Sequence, residues 1–242
     1  MQLPYLDRYE VKARLLPALL SCLVAVPGIG SLLGGYADHA DELLVGGGLT
    51  GIALTVGLAY LAAAAGRIYE RKIWHDWPHD APTNRWLQPD DDHCSKQQKE
   101  IYYNAIHRIL GLDIAMAAES DDELRQVIND AVRGLRSKFR ALEAQGLLNT
   151  HNEDYGFVRN LAGLYFIWVP ASVLSAAAAW GTYARSDTGL MWGILASIVL
   201  VLAFVLLASR RGLVTQRAER YAESFFGTLI EVDKRLRSQA IS

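Results

Sequence analysis

The side chains best able to do chemistry lie in two short clusters. His75-Asp76-Trp77-Pro78-His79-Asp80 is followed by Asp90-Asp91-Asp92-His93-Cys94. Imidazole, carboxylate and thiolate can all bind zinc or another divalent ion. The spacings fit no closed structural zinc pattern, and aspartate-rich loops are ordinarily solvated, so no metal or cofactor is expected. Nucleophilic catalysis has less support. There is no Gly-x-Ser-x-Gly elbow, no P-loop and no dinucleotide fingerprint. Gly28-x-Gly30 lies inside an apolar run, where it signals close packing. No spacing selects one His, Ser and Asp set as a triad, and an enzyme is not expected. A metal-dependent membrane enzyme using His75, His79 and His93 is the third-ranked reading.

Basic residues offer a second chemistry, the binding of anions. Arg133, Arg136, Lys138 and Arg140 cluster near the end of one predicted helix, and Lys96 and Lys99 open the preceding one. Arg85 beside Trp86, and Lys99 near Tyr102 and Tyr103, pair a cation with a stacking surface. That combination suits a nucleotide or single-stranded nucleic acid. Basic residues near a helix C-terminus also complement its macrodipole, and for one subunit that plainer reading is preferred. A symmetric ring shifts the balance, because several copies of a weak patch converge on one axis.

The elements that must position these groups are set by four uncharged apolar runs at residues 15–36, 43–66, 161–183 and 189–209. Each has about the 20 residues a helix needs to cross a hydrocarbon core of roughly 30 Å. Such a helix satisfies its own backbone hydrogen bonds in lipid. A hydrophobic fraction of 51% and a net charge of −2 average over these runs and the polar remainder. The runs predict an all-α membrane protein, with two transmembrane helical hairpins flanking a helical cytoplasmic domain. Its parts are an N-terminal segment (1–14), hairpin 1 (15–66), the cytoplasmic domain (67–160), hairpin 2 (161–209) and an amphipathic tail (210–242). Arg8, Lys12 and Arg14, then Arg67, Arg71 and Lys72, then Arg159, then Arg210, Arg211 and Arg217 flank the runs, whereas residues 37–42 carry three acids and no base. The positive-inside rule therefore puts both termini and the central domain in the cytoplasm. The first run is too long for the core of a cleaved signal and is read as a span. Cys22 falls in a span and Cys94 in the cytoplasm, so no disulfide is expected.

In the second run Gly47, Gly51, Thr55, Ala59 and Ala63 recur every fourth position, and Ala171, Ser175 and Ala179 do so in the third. Small residues at that spacing let helices approach closely in lipid. Packing within the four-helix unit is the first reading; packing between subunits around a narrow pore is the second. Pro17, Pro27 and Pro170 are predicted to bend their helices. Trp168, Trp180, Trp192, Tyr36 and Tyr183 suit the interfacial belts. No Asp, Glu, Lys, Arg or His lies near the middle of any run. Proton relays and coupled transporters need such groups, so an assembled channel is favoured over a pump.

Residues 67–160 hold 13 bases and 16 acids. Residues 66–74 are predicted to continue the second membrane helix, and the proline-rich 76–92 to form a loop. Ser95 with Gln98 resembles a capping box opening a helix that stops at Gly111. Ser120 with Glu123 opens another, whose Leu124, Val127, Ile128, Ala131, Leu135 and Leu142 recur until Gly146. In the tail, Tyr221, Phe225, Leu229, Val232 and Leu236 form an apolar face that should pack on the central domain of its own or a neighbouring subunit.

Two stretches carry a resemblance. They are Ala81-Pro82-Thr83-Asn84-Arg85-Trp86-Leu87, with Lys99, Tyr102 and Tyr103 after it, and His151-Asn152-Glu153-Asp154-Tyr155-Gly156-Phe157-Val158-Arg159-Asn160 before the third run. With the two-plus-two layout, they resemble membrane effector subunits of bacterial anti-phage systems, in particular the channel component of Hailong. The resemblance implies a homo-oligomeric channel, expected to be a tetramer of the inner membrane. Its ligand would be a nucleotide or short single-stranded DNA made by a partner nucleotidyltransferase, and it would act by depolarisation. Tyr155, Gly156, Arg159 and Asn160 would then couple the cytoplasmic domain to the membrane, with Gly156 permitting a tight turn. The residue-level candidates for the ligand remain Arg85, Lys96, Lys99, Tyr102, Arg133, Arg136, Lys138 and Arg140. The rival from another class is a membrane anchor that recruits a cytoplasmic partner without conducting.

Overall fold

The computed structural model describes residues 7–33, 40–117, 120–144, 146–185 and 187–241, with backbone alone for 40–50, 52, 240 and 241. Of the described residues 85% are helical, and none lies in a strand. The helices are α1 (Arg8–Leu23), α2 (Val26–Leu33), α3 (Ala40–Ile73), α4 (Pro82–Arg85), α5 (Lys96–Leu110), α6 (Ile114–Ala117), α7 (Asp121–Ala141), α8 (Gly146–Gly163), α9 (Tyr165–Gly181) and α10 (Gly189–Ile241). They form two compact units: Met1–Glu70 with Glu153–Val214, and Arg71–Asn152 with Thr215–Ser242.

The first unit is apolar. Helix α10 is long and apolar enough to cross a membrane over Gly189–Gln239. Two bent pairs, α1 with α2 (41°) and α8 with α9 (59°), qualify if each is a single span. The first bend follows from Pro27, which cannot donate to Leu23 and whose ring crowds that carbonyl; the helix breaks between Leu23 and Val26. The second departs from expectation. Pro170 lies inside α9, and the break is at Leu164. There Gly163 meets the backbone of α3 so closely that a Cβ would stand 2.5 Å from Ala65 C and Gly66 N. At the break the carbonyl of Leu161 accepts from Leu164 N at 3.2 Å and from Trp168 Nε1 at 2.8 Å.

The small-residue stripe of the third run packs within the chain. Gly28 N donates to Ser175 Oγ at 2.8 Å, and a Cβ on Gly28 would stand 2.6 Å from Ser175 Cα. Ser31 bonds to Thr182, and Ala179 is fully buried. The stripe of the second run divides. Ala59 and Ala63 are buried, while Gly51 and Thr55 line an apolar groove of 1080 Å³ with Leu16, Leu19, Val26 and Ile29. A Cβ on Gly51 would meet nothing within 4 Å. Gly47 and Tyr36 lie outside the described side chains.

The second unit has a dense core. Ile106 from α5, Ile128 and Leu135 from α7, and Phe225, Leu229 and Val232 from α10 are all buried there with Trp86 and Leu87. The tail thus packs on the central segment of its own chain. Ser95 caps α5 by accepting from Gln98 N, and Gly111 ends it at φ 73°, as the capping pattern predicts. Ser120 precedes α7 without a side-chain cap bond. Helix α7 stops at Ala141 by way of Glu143 at φ 52°; Gly146 opens α8 instead of ending α7.

Candidate functional site

Pro17 is the starting point in the first unit. It has no N–H, so the carbonyl of Ala13, four residues earlier, loses its helical donor, and α1 takes a π turn over Val11–Leu15. Asn160 of α8 fills the vacancy: its Nδ2 donates to Ala13 O at 2.6 Å. Asn160 is fully buried, and its Oδ1 accepts from Arg159 Nε at 3.2 Å. Arg159 reaches Glu70 Oε2 of α3 at 3.5 Å and lies over the Tyr155 ring at 5.5 Å. Tyr155 OH donates to the other oxygen of Glu70. Glu70, Tyr155 and Asn160 are all buried. A buried carboxylate is costly unless paired and hydrogen-bonded, and here it is both.

Close backbone approach allows this node to form. A Cβ on Gly66 would fall 2.1 Å from Asn160 Oδ1. A Cβ on Gly156 would meet Ala13 Cβ at 2.9 Å and Tyr9 OH at 3.0 Å. Gly156 therefore sits mid-helix against α1, and the tight turn expected there is replaced by helix packing. Around it, Glu153 pairs with Arg8 (3.2 Å) and Lys12 (3.5 Å), and Asp154 with Lys12 (2.7 Å). Arg210 lies over Tyr165 at 4.8 Å and Tyr69 at 5.8 Å. The structure brings Tyr155, Gly156, Arg159 and Asn160 together, and adds Glu70, which reads in the sequence as an ordinary solvated charge.

The basic candidates in the second unit separate. Lys99 is 4% exposed, and its ammonium donates to the carbonyls of Gln88 (2.7 Å), Pro89 (3.2 Å) and Asp91. It is spent clamping the loop after α4. Arg85 pairs with Asp91 at 3.0 Å. Tyr102 is buried and stacks on Phe226 at 4.5 Å. Neighbouring Tyr103 donates to Leu87 O at 2.6 Å, and burial pushes its phenol up to about 12. Lys96, Arg133, Arg136, Lys138 and Arg140 are exposed. Arg133, Arg136 and Arg140 share one strip of α7 by their spacing, with Arg136 over the Tyr221 ring at 5.8 Å. Among the described residues, no three His, Cys, Asp or Glu side chains converge on a metal position. His93 instead stacks on Trp86, with ring centres 3.9 Å apart.

Comparison with known proteins gives no matching family model, no curated relative and no similar solved structure.

Proposed function

We propose that the chain is a homo-oligomeric ion channel of the cytoplasmic membrane, controlled by a nucleotide or short single-stranded DNA bound on the cytoplasmic side. The chain would cross the bilayer four times, with α3 supplying the span between α2 and the second unit, and both termini would be cytoplasmic. The observation that carries this reading is the double character of α10. Its first half is apolar yet exposed, with Val201 at 61% and Val205 at 60%, as lipid-facing or subunit-facing positions would be. The same unbroken helix buries Phe225, Phe226 and Leu229 in the core of the polar unit. Ligand-induced change in that core has a continuous helix along which to reach the membrane.

The buried node of Glu70, Tyr155, Arg159 and Asn160 would hold α1, α3 and α8 in one of two arrangements, since packed polar networks are bistable more readily than they are elastic. The groove beside Gly51 and Thr55 would receive a helix of a second copy. The resemblance of residues 81–87 and 151–160 to Hailong effectors points the same way, and extends the proposal to anti-phage defence by depolarisation. Recording from purified protein in planar bilayers, with nucleotides and short single-stranded DNA added in turn, tests it. Current that responds to one of them is expected. Silence under every condition, with capture of a heterologous partner, would return the chain to the anchor reading.

A further inference from the structure

We propose that Arg210 and Arg211 of α10 form a site for the phosphate of an anionic phospholipid. The proposal rests on the bilayer placement of α10 and not on the channel reading. Three apolar runs of the first unit have an end here: two close at residues 66 and 209, and one opens at residue 161. Tyr69, Arg210 and Tyr165 lie within about one helical turn of those ends, and they meet in space. The Arg210 guanidinium stands over the Tyr165 ring at 4.8 Å and the Tyr69 ring at 5.8 Å. Tyrosine and arginine at the end of an apolar run belong at the depth of the headgroups.

What Arg210 lacks is an anion. Among the described residues of the first unit, the other half-buried bases, Lys12, Arg14 and Arg159, each pair with a carboxylate. Arg210 and the exposed Arg211 pair with none. Glu70, next in the chain to Tyr69, is already bonded to Arg159 and Tyr155. Arg210 Nη1 donates to Leu207 O at 2.7 Å, and the Tyr69 hydroxyl lies in hydrogen-bond range of the same guanidinium. A guanidinium has five donors, so the Nη edge keeps N–H bonds to give. The two rings pin that edge, and an unpaired charge held partly off water is costly. A pair of phosphate oxygens matches the planar fork. Arg211 adds a second positive charge, whose field reaches Tyr69. With no acid opposing them, the two bases favour a headgroup of net negative charge over a zwitterionic one. A free phosphate shares the chemistry but has no acyl chains. Exposed Ile198, Val201, Leu202 and Val205 precede Arg210 on the same helix and offer those chains an apolar surface.

Native mass spectrometry of the full chain, released from micelles holding equal phosphatidylglycerol and phosphatidylcholine, tests this. A second arm holds inorganic phosphate alone. Phosphatidylglycerol adducts about fivefold above those of phosphatidylcholine are expected, the worth of one charge near the surface, with no phosphate retained. Arg210→Gln should lower the phosphatidylglycerol adduct about tenfold, as loss of one charge-assisted hydrogen bond does. Arg211→Gln, at an exposed position, should lower it about fivefold. Arg67→Gln removes the same charge from the end of the α3 run and should leave the adduct unchanged. Equal adducts of the two lipids, or phosphate retained as well as lipid, would overturn the assignment. Equal losses from Arg67→Gln and Arg210→Gln would also overturn it, by showing a diffuse surface field. If Arg210→Gln does not fold, Arg211→Gln decides, and an undiminished adduct there sinks the proposal. The readout is bound lipid, so none of these outcomes bears on conduction. Failure of the bilayer placement shows separately, as protein that stays in solution without detergent.

Discussion

Asn160 has no freedom left: its amide is shared between Ala13 O and Arg159 Nε, and its oxygen faces the backbone of Gly66. A methyl at Gly66 must displace that oxygen, since it would land 2.1 Å from it. Gly66→Ala should therefore destabilise the fold by about 2 kcal/mol, within the usual range for overpacking. The obstacle is a side-chain tip, so Gly66→Ala with Asn160→Ala should cost clearly less than the sum of the two single changes. Gly163→Ala should behave differently, because its Cβ would strike the α3 backbone at 2.5 Å and no side-chain deletion can make room. Melting temperatures of the four variants in detergent, read as a double-mutant cycle, check this. Additive losses in the Gly66 and Asn160 pair would refute the close contact. Lys99 supports a second prediction of the same kind. Lys99→Met strands the carbonyls of Gln88, Pro89 and Asp91 and should cost about 1–3 kcal/mol, with faster amide exchange confined to residues 88–92.

At the scale of helices, α5 is fastened to α10 by one ion pair of unequal exposure. Arg108 Nε and Nη2 each donate at 2.8 Å to a different oxygen of Asp233, which also pairs with Arg237 at 3.0 Å. The Arg108 hydrogen bonds hold the Asp233 carboxyl below its usual value. Because folding lowers this pKa, the stabilisation is full above the unfolded value of about 3.9 and is lost as pH falls through the folded one. Arg108 is 42% exposed, so screening limits the pair to about 1 kcal/mol. Asp233→Asn should thus lower the melting temperature at pH 6, and the gap to wild type should close below about pH 4. A gap that stayed constant to pH 2.5 would show that the pair contributes no pH-linked stability. The same helices show what their sequence could reveal. Ser95 and Gly111 bracket α5 by rules that need only neighbours in the chain, and the spacing of Phe225, Leu229 and Val232 announces a buried face before its partner is known. The bend at Leu164 depends on where α3 crosses, so Pro170 drew attention to the wrong residue. Glu70 and Lys99 misled for one reason: each is an ordinary charge in sequence, and only the crossing of α3 with α8, or the folding of the 88–91 loop, buries it. Trp86 was legible as a stacking residue, but its pairing with Phe226 spans residues too distant for any spacing rule.

For the molecule as a whole, burial and charge divide along the same lines. Helix α10 alone carries exposed Leu190, Ile194, Ile198, Val201, Leu202 and Val205, a row of a kind that soluble monomers rarely expose. With one crossing by α10 and two more by the bent pairs, residues before Arg8 and after Ile241 would lie on opposite faces; a fourth crossing by α3 returns them to the same face. The number of spans is therefore a question of parity, and parity can be measured. In a chain with Cys22 and Cys94 replaced by Ser, single cysteines at Asp38, Arg125, Asp187 and Arg217 can be challenged with a membrane-impermeant maleimide, in intact cells and in inverted vesicles. Four spans predict labelling of positions 38 and 187 only from outside, and of 125 and 217 only from the cytoplasmic face. That pattern also follows from the placement of Lys and Arg, since the flanks at Arg67, Arg71, Lys72, Arg210 and Arg211 are basic while residues 37–42 are acidic. Labelling of 38 and 125 from the same side would show that α3 does not cross. The proposed control of a pore through the node at Glu70 would then have no structural basis.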